Sequence, residues 1–414
     1  MIDFTIPDEV VALRKRVADF IDTDIVPYES QVGTRPFLDI VGELQEKARA
    51  EGLWCPFIPT ELGGMGLGHL GNAVIQIEVA RTRHHLAAWA MNCMGPQDAT
   101  MLALMELGTP EQRERYLGPT IDGTLRLCFA MTERAAGADA TGMQTTAVRD
   151  GDDWVINGEK WFTSGGAMAD VALVMAKTDP DAPRHEQYTT FLVELPNPGY
   201  QVIRNIPVLS EAVEPRYGEE VHLAMGHAEI RLENLRVPHA NILGRQGGGF
   251  EVGQLRLGYG RLRHGMWSIA RAQQALDMAA GYANKRETFG APVGSRQIIQ
   301  GKLAKCAQDL YLSRLLVLHL AYKLENGQDI TQENSIAKNF IADMESNVID
   351  TALQIHGSLG YTMDTPLAAW YAEVRQQHIV DGPDEVHAWR VGRNVLKAQE
   401  RFGTTASAAG GDLV

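Results

Sequence analysis

One aspartate is placed where it could do chemistry. Asp381 lies in the turn Asp381-Gly382-Pro383-Asp384, inside the stretch HIVDGPDEVHAWR, between an apolar segment and a helix-like one. A carboxylate held in a turn can act as a general base. The same residues also explain themselves as turn and cap formers, because Asp-Gly and Gly-Pro favour turns and Asp caps helices. Asp384 is a second carboxylate in the same turn. Three Gly- and Thr-rich stretches could complete a site. FAMTERAAGADATG, Phe129 to Gly142, follows a strand-like segment, and its small residues let backbone N–H groups approach an anion or a planar ring. INGEKWFTSGG, Ile156 to Gly166, reads as a hairpin turn, then two aromatics, then two hydroxyls. Trp161 and Phe162 could be core or could stack on a ring, and Thr163 and Ser164 could donate to it. QIHGSLGYT, Gln354 to Thr362, ends a long helix with glycines suited to a close-packed ligand. A formal G-x-G-x-x-G match, Gly66-Gly68-Gly71, lacks the strand before it and the acidic residue after it that a dinucleotide site needs. It reads as a flexible or ligand-facing loop.

The elements that must hold these residues follow from periodicity. Residues 1–125 are helical in pattern, with Val10, Leu13, Val17, Phe20 and Ile21 at helical spacing and Thr109, Pro110 and Gln112 forming a helix start. From 126 to 240 come short alternating segments separated by Gly, Pro, Asn and Asp, the mark of a β-domain. From 241 to 402 the helices return and lengthen. Ile336, Phe340, Ile341, Met344, Val348, Ile349, Ala352 and Leu353 make one apolar stripe, as a core or subunit interface does. Residues 403–414 read as a flexible tail.

Composition narrows the function classes. The chain has 414 residues, 45% hydrophobic, with 38 Lys+Arg against 52 Asp+Glu and a net charge of −14. That balance argues against a nucleic-acid partner. The four cysteines, Cys55, Cys93, Cys128 and Cys306, form no C-x-x-C pair and read as buried free thiols in a reducing compartment. No metal-ligand spacing is present. No apolar run is long enough for a membrane span, and the start shows neither a secretory signal nor a transit peptide.

Together these elements resemble the acyl-CoA dehydrogenase family over about 5–400. The stretches GLWCPFIPTELGGMG, AMTERAAGAD, INGEKWFTSGG, LENLRVPHANILG, GRLRHGMWSIARAQQALDMAAGYANKRETFG, SRQIIQGKLA, QIHGSLGYT and DGPDEVH carry the likeness in content, order and spacing. The last, with RLGYGRLRH upstream, is most similar to the subgroup of family members ten and eleven. The resemblance implies an α+β fold: an N-terminal helical domain, a middle β-barrel-like domain and a C-terminal four-helix bundle. It implies FAD held between the last two, partly across a subunit interface, in a homotetramer or homodimer.

Carried over by position, the resemblance puts Phe129, Met131 and Thr132 against the flavin ring and Gly137 in the turn beside it. Phe162, Thr163 and Ser164 match the flavin neighbours, with Ser164 near N5. Arg286, Thr288, Phe289 and Gln297 match a segment that holds pyrophosphate and adenine, often of the neighbouring subunit. Gln354, Gly357 and Ser358 match a further FAD-contacting turn. Ala138, Arg261 and Gly382 fall in the substrate set. Ala138 stands where the family usually has Ser, Arg134 where it has Pro, and Gly258 where an acidic residue is common. Asp381 stands where most of the family has a glutamate base.

On that reading Asp381 abstracts the Cα proton of an acyl-CoA thioester while flavin N5 takes the Cβ hydride, giving the trans-2-enoyl-CoA. An electron-transfer flavoprotein takes the electrons, in cytoplasmic fatty-acid β-oxidation. Asp is one methylene shorter than Glu, so its carboxylate sits back by about 1.5 Å at most. The turn or the substrate must compensate. The alternative is an oxidase of nitroalkane-oxidase type, a relative of the same fold that also uses Asp as base.

Overall fold

The structure is a computed structural model describing residues 5–95, 97–209 and 226–410. Four principal helices open the chain: α1 (Asp8–Phe20), α2 (Phe37–Ala50), α3 (His69–Val79) and α4 (Gln97–Leu107). Asp8 and Glu9 occupy the first turn of α1, where the helix dipole favours acids. Val17, Phe20 and Ile21 are buried with Phe37, Ile40 and Leu44 of α2 and Ile75 and Val79 of α3. Past α4, Thr109 and Gln112 make the expected reciprocal capping box, with Pro110 in the first turn.

The described strands between residues 127 and 243 form one eight-stranded sheet: β1 (Leu127–Ala130), β2 (Thr146–Asp150), β3 (Asp153–Ser164), β4 (Val171–Lys177), β5 (Tyr188–Glu194), β6 (Tyr200–Asn205), β7 (His227–Pro238) and β8 (Ile242–Leu243). The order is β6-β7-β3-β2-β4-β5-β8, with β1 added in parallel to β4. The ends β6 and β8 do not pair with each other among the described residues. Met101 and Leu104 of α4 pack with Phe129, Leu173 and Leu192 of the sheet and with Val252. This layer joins the first helices, the sheet and the start of the bundle.

One local expectation is corrected. Asn157-Gly158 is not a hairpin turn but part of the continuous strand β3, where the pairing register with β7 shifts. Asn157 Oδ1 accepts from Asn234 N at 2.8 Å. Gly158 has φ +151°, and a Cβ there would lie 2.5 Å from Thr145 Oγ1. The Asn-Gly signal marks a bulge demanded by close packing.

The bundle comprises α5 (Gly249–Lys285), α6 (Gln297–Glu325), α7 (Thr331–His356) and α9 (Asp384–Phe402), with α8 (Leu367–Val374) leading into the last. A small hairpin, β9 (Glu287–Thr288) and β10 (Ala291–Pro292), joins α5 to α6. Ile341, Met344, Val348, Ile349 and Ala352 of the α7 stripe are buried against α5 and α6. Each large apolar side chain buried this way contributes about 1.5–3 kcal/mol.

The loop of Gly66 and Gly68 is packed rather than ligand-facing. Leu70 N donates to Glu325 Oε2 at 3.2 Å, and a Cβ on Gly68 would lie 2.1 Å from Glu325 Oε1. Part of the segment expected as a flexible tail is also docked. Ala406–Ala409 forms a 3-10 turn, Ala408 is buried, and its carbonyl accepts from Gln332 Nε2 at 2.8 Å. The last four residues, 411–414, lie outside the described residues. All four cysteines are free and buried.

Candidate active site

Asp381 sits between the end of α8 and the start of α9, against the face of α5. Its φ is +52°. Side chains rarely adopt this left-handed conformation, and Asp is among the few that do so readily. The backbone therefore favours the shorter carboxylate. Gly382 follows at φ +104°, where a Cβ would lie 2.8 Å from His387 Nε2. The Asp381 carbonyl accepts from Arg261 Nε at 2.8 Å and faces His387 Nε2 at 3.3 Å. Burial pushes the His387 imidazole down to about 4, so the neutral ring can donate from Nε2.

The carboxylate itself rests on α5. A Cβ on Gly260 would lie 2.7 Å from Asp381 Oδ2, so only glycine leaves room for it. His264, one turn further along α5, puts Nε2 3.5 Å from the same oxygen. Burial holds the His264 imidazole down at about 4, so it stays neutral near pH 7. The peptide N–H groups of Asp381 and Gly382 have no acceptor among the described residues. They are available to an oxyanion. Asp384 is differently engaged: Oδ1 lies 3.2 Å from Lys338 Nζ, Oδ2 bonds His378 Nδ1 at 2.5 Å, and its carbonyl accepts from Asn339 Nδ2. That network anchors α9 to α7 and leaves Asp381 as the carboxylate with lone pairs to spare.

The sheet supplies a second group. Phe129 lies on β1 and is buried. The Met131 carbonyl accepts from Lys160 Nζ at 3.0 Å, and the Thr132 carbonyl accepts from Trp161 N at 2.7 Å. A second register shift in β3 falls between Lys160 and Thr163. There Phe162 takes φ +57° and its side chain turns outward, exposed, 5.4 Å from the His227 ring. Thr163 is fully buried, yet its Oγ1 has no hydrogen-bond partner among the described residues. Ser164 Oγ bonds His227 Nδ1 at 2.8 Å. Gly137 and Ala138 are exposed in the loop after β1.

A third group stands at the far end of α5. Tyr282 stacks on His356 with centroids 4.5 Å apart. This brings the hairpin carrying Arg286, Thr288 and Phe289, and Gln297 at the start of α6, to the same end of the bundle as Gln354, Gly357 and Ser358. Phe289 is 99% exposed at φ +51°. Gly260 and Tyr282 are separated by about 33 Å of helix at 1.5 Å per residue. Within one chain, this third group is therefore remote from Asp381.

Comparison with known proteins fits this geometry. Residues 7–124, 128–212 and 247–396 match the acyl-CoA dehydrogenase N-terminal, middle and C-terminal domain families in turn. The chain belongs to the acyl-CoA dehydrogenase family. It is 34% identical to the protein named probable acyl-CoA dehydrogenase FadE2 of Mycobacterium tuberculosis, covering 96% of this chain and 98% of that one. It is 34% identical to acyl-CoA dehydrogenase family member 10 of Mus musculus, with 94% of this chain matching 37% of that protein. Family member 11 of Gallus gallus is 36% identical, with 87% of this chain matching 46% of that protein. The chain thus spans less than half of either of these two relatives. Among solved structures, butyryl-CoA dehydrogenase from Megasphaera elsdenii superposes with a TM-score of 0.81 at 27% identity, covering 95% of this chain and 100% of that one.

Acyl-CoA dehydrogenases are FAD-dependent oxidoreductases, and the sheet face of this family member fits the cofactor. The buried, partnerless Thr163 hydroxyl and the outward aromatic at Phe162 sit side by side on the β3 bulge. One offers a hydrogen bond and the other a stacking surface.

Several residues of the site carried no signal in the sequence. Arg134, at the position where the resemblance implies proline, lies over the Trp161 ring at 3.8 Å and bonds Glu229 Oε1 at 2.5 Å. The loop after β1 is held by a buried ion pair, Lys160 Nζ to Glu133 Oε1 at 2.8 Å. Glu133 also accepts from the backbone of Gln144 and Thr145. His264 and His387 shape the Asp381 turn from other elements. The i, i+4 pair Gly260 and His264 was the one readable hint, since such residues share a helix face.

Proposed function

We propose that this acyl-CoA dehydrogenase family member performs α,β-dehydrogenation of an acyl-CoA thioester, with Asp381 as the base. One observation carries the reading: the Asp381 carboxylate is seated over Gly260 while its carbonyl is pinned by Arg261 and His387. A base fixed in this way has a defined direction, as proton abstraction from carbon requires.

When bound, FAD supplies the acceptor for the Cβ hydride. The protein's own residues do the rest. The thioester lies with its Cα toward Asp381, which takes the proton and becomes a carboxylic acid. Negative charge grows on the thioester oxygen, and the peptide N–H groups of Asp381 and Gly382 stand ready to receive it. Neutral His264 faces Asp381 Oδ2 and orients the carboxylate without neutralising it. Arg261 holds the Asp381 carbonyl through Nε, so in this reading it fixes the base as well as belonging to the substrate set. Loss of the Cα proton and the Cβ hydride leaves the trans-2-enoyl-CoA.

The electrons then pass to an electron-transfer flavoprotein. The remote group at Arg286, Thr288, Phe289 and Gln297 serves the FAD of a neighbouring subunit, in a homotetramer or homodimer. That assignment gives the fully exposed Phe289 a partner surface. Four buried free thiols suit the reducing cytoplasm, and fatty-acid β-oxidation is the pathway class. No described helix is long and apolar enough to cross a membrane.

The test is anaerobic mixing of the FAD-loaded protein with a panel of acyl-CoAs while flavin absorbance is followed. Bleaching with at least one saturated acyl-CoA supports the reading. Oxygen consumption with nitroalkanes and no response to any acyl-CoA replaces it with the oxidase alternative.

A further inference from the structure

The face of α5 that carries Gly260 also carries a cation that makes no direct ion pair among the described residues, although the Asp381 charge acts on it. Arg256 lies four residues before Gly260 and three after Gly253, so all three share one helix face. A Cβ on Gly253 would lie 3.9 Å from Met131 Sδ on the sheet side, and one on Gly260 would meet the Asp381 carboxylate. Arg256 stands between them. Its guanidinium lies 4.6 Å from the ring centroid of Phe129, the β1 residue already placed at the cofactor face. The Arg256 Nε is buried without a hydrogen-bond partner, and the side chain has no ion pair among the described residues.

The nearest acids do not complete it. Asp98 of α4 gives Oδ1 to Arg263 Nη1 at 2.7 Å, and Asp381 faces His264. Beside it on α5, Leu255 and Tyr259 pack with Ala99, Leu102 and Met105 of α4 and with Phe57. A guanidinium desolvated among such neighbours is unfavourable unless a ligand pairs it. An acyl chain that leaves the thioester between Asp381 and the sheet and runs along this face of α5 passes this group.

We propose that Arg256 is a specificity residue that recognises an oxyanion carried on the acyl chain, so that the preferred substrate is a short ω-carboxyacyl-CoA rather than a plain fatty acyl-CoA. The arginine fork binds two carboxylate oxygens at once, which a lysine cannot reproduce. Arg256 is one helical turn from the residue that seats the base, about 6 Å along the axis, so the anion sits only a few carbons beyond Cβ. This inference rests on the dehydrogenase reading and adds the substrate class.

The test compares hexanoyl-CoA with adipyl-CoA, which have the same chain length and differ by a terminal carboxylate. Holoenzyme with Arg256, Arg256→Lys and Arg256→Leu is reduced anaerobically with each. The wild type is expected to favour adipyl-CoA, and Arg256→Leu to cut the adipyl/hexanoyl ratio of kcat/KM by roughly 10- to 100-fold, mainly through KM. Arg256→Lys falls between them. Calorimetric affinity for adipyl-CoA in an Asp381→Asn background, with and without Arg256→Leu, reads the same loss without turnover. Equal rates with the two thioesters in the wild type overturn the proposal and leave the dehydrogenase reading standing. So does a uniform loss on both thioesters, or release of FAD by Arg256→Leu, which makes Arg256 a structural or cofactor residue. Bleaching by no thioester at all removes both readings.

Discussion

Gly260→Ala separates the function of this site from its stability. Gly260 lies within α5, where alanine is preferred to glycine by about 0.5–1 kcal/mol. The added Cβ, however, would stand 2.7 Å from Asp381 Oδ2. Ordinary contact at about 3.4 Å requires the carboxylate to retreat by about 0.7 Å. It cannot do so freely. The Asp381 carbonyl is held by Arg261 and His387, and rotating the side chain surrenders the contact with His264. Misplacement of about 1 Å costs roughly 100-fold, so 0.7 Å corresponds to about 25-fold. The expected variant melts within about 1 kcal/mol of the wild type and binds FAD as well. Its anaerobic flavin reduction by acyl-CoA is slowed about 10- to 50-fold in kcat. Stopped-flow absorbance, denaturant unfolding and FAD titration together decide it. An unchanged reduction rate refutes the idea that the carboxylate works from its seat on α5, and so does a rate loss that merely tracks unfolding or FAD release.

Three further outcomes follow from the same contacts. Lys160→Met leaves Glu133 buried without its cation and costs about 3–5 kcal/mol in denaturant unfolding, most of which the double variant with Glu133→Gln restores. Thr163→Val removes a hydroxyl that has no partner among the described residues, so FAD-free stability is unchanged or higher while FAD affinity falls about 3- to 10-fold by titration. His264 titrates near 4 when folded against about 6.5 when unfolded, because burial disfavours the imidazolium. The unfolded chain therefore binds more protons between these values, and its contribution to stability is lost as pH falls from 6.5 to 4. The loss is about 3–4 kcal/mol at most, and His264→Gln flattens that part of the unfolding-versus-pH curve.

Much of the scaffold was legible because its signals are local. The Thr109 capping box, the alternating strands and the α7 stripe each rest on a pattern within a few turns of chain, and each formed as read. Asn157-Gly158 misled for a physical reason: the dipeptide suits a hairpin in isolation, but Thr145 crowds it and Asn234 bonds it within a long strand. The glycines of the 66–68 loop were read as freedom when the Glu325 carboxylate made at least one of them a close approach. The site was legible only where a resemblance supplied positions. Glu133 and Lys160 are 27 residues apart, and Asp381 and Arg261 are 120 apart. No periodicity connects such pairs. Only the fold brings His264 to the Asp381 carboxylate and Arg261 and His387 to its carbonyl.

The most direct measurement is acyl-CoA-dependent flavin bleaching in Asp381→Asn, made under anaerobic conditions on protein shown to be folded and FAD-bound. The substitution keeps the shape and the backbone contacts and removes the basic oxygen. The account predicts yellow protein that binds the thioester and does not bleach. Bleaching at or near the wild-type rate would contradict it and remove Asp381 from the chemistry.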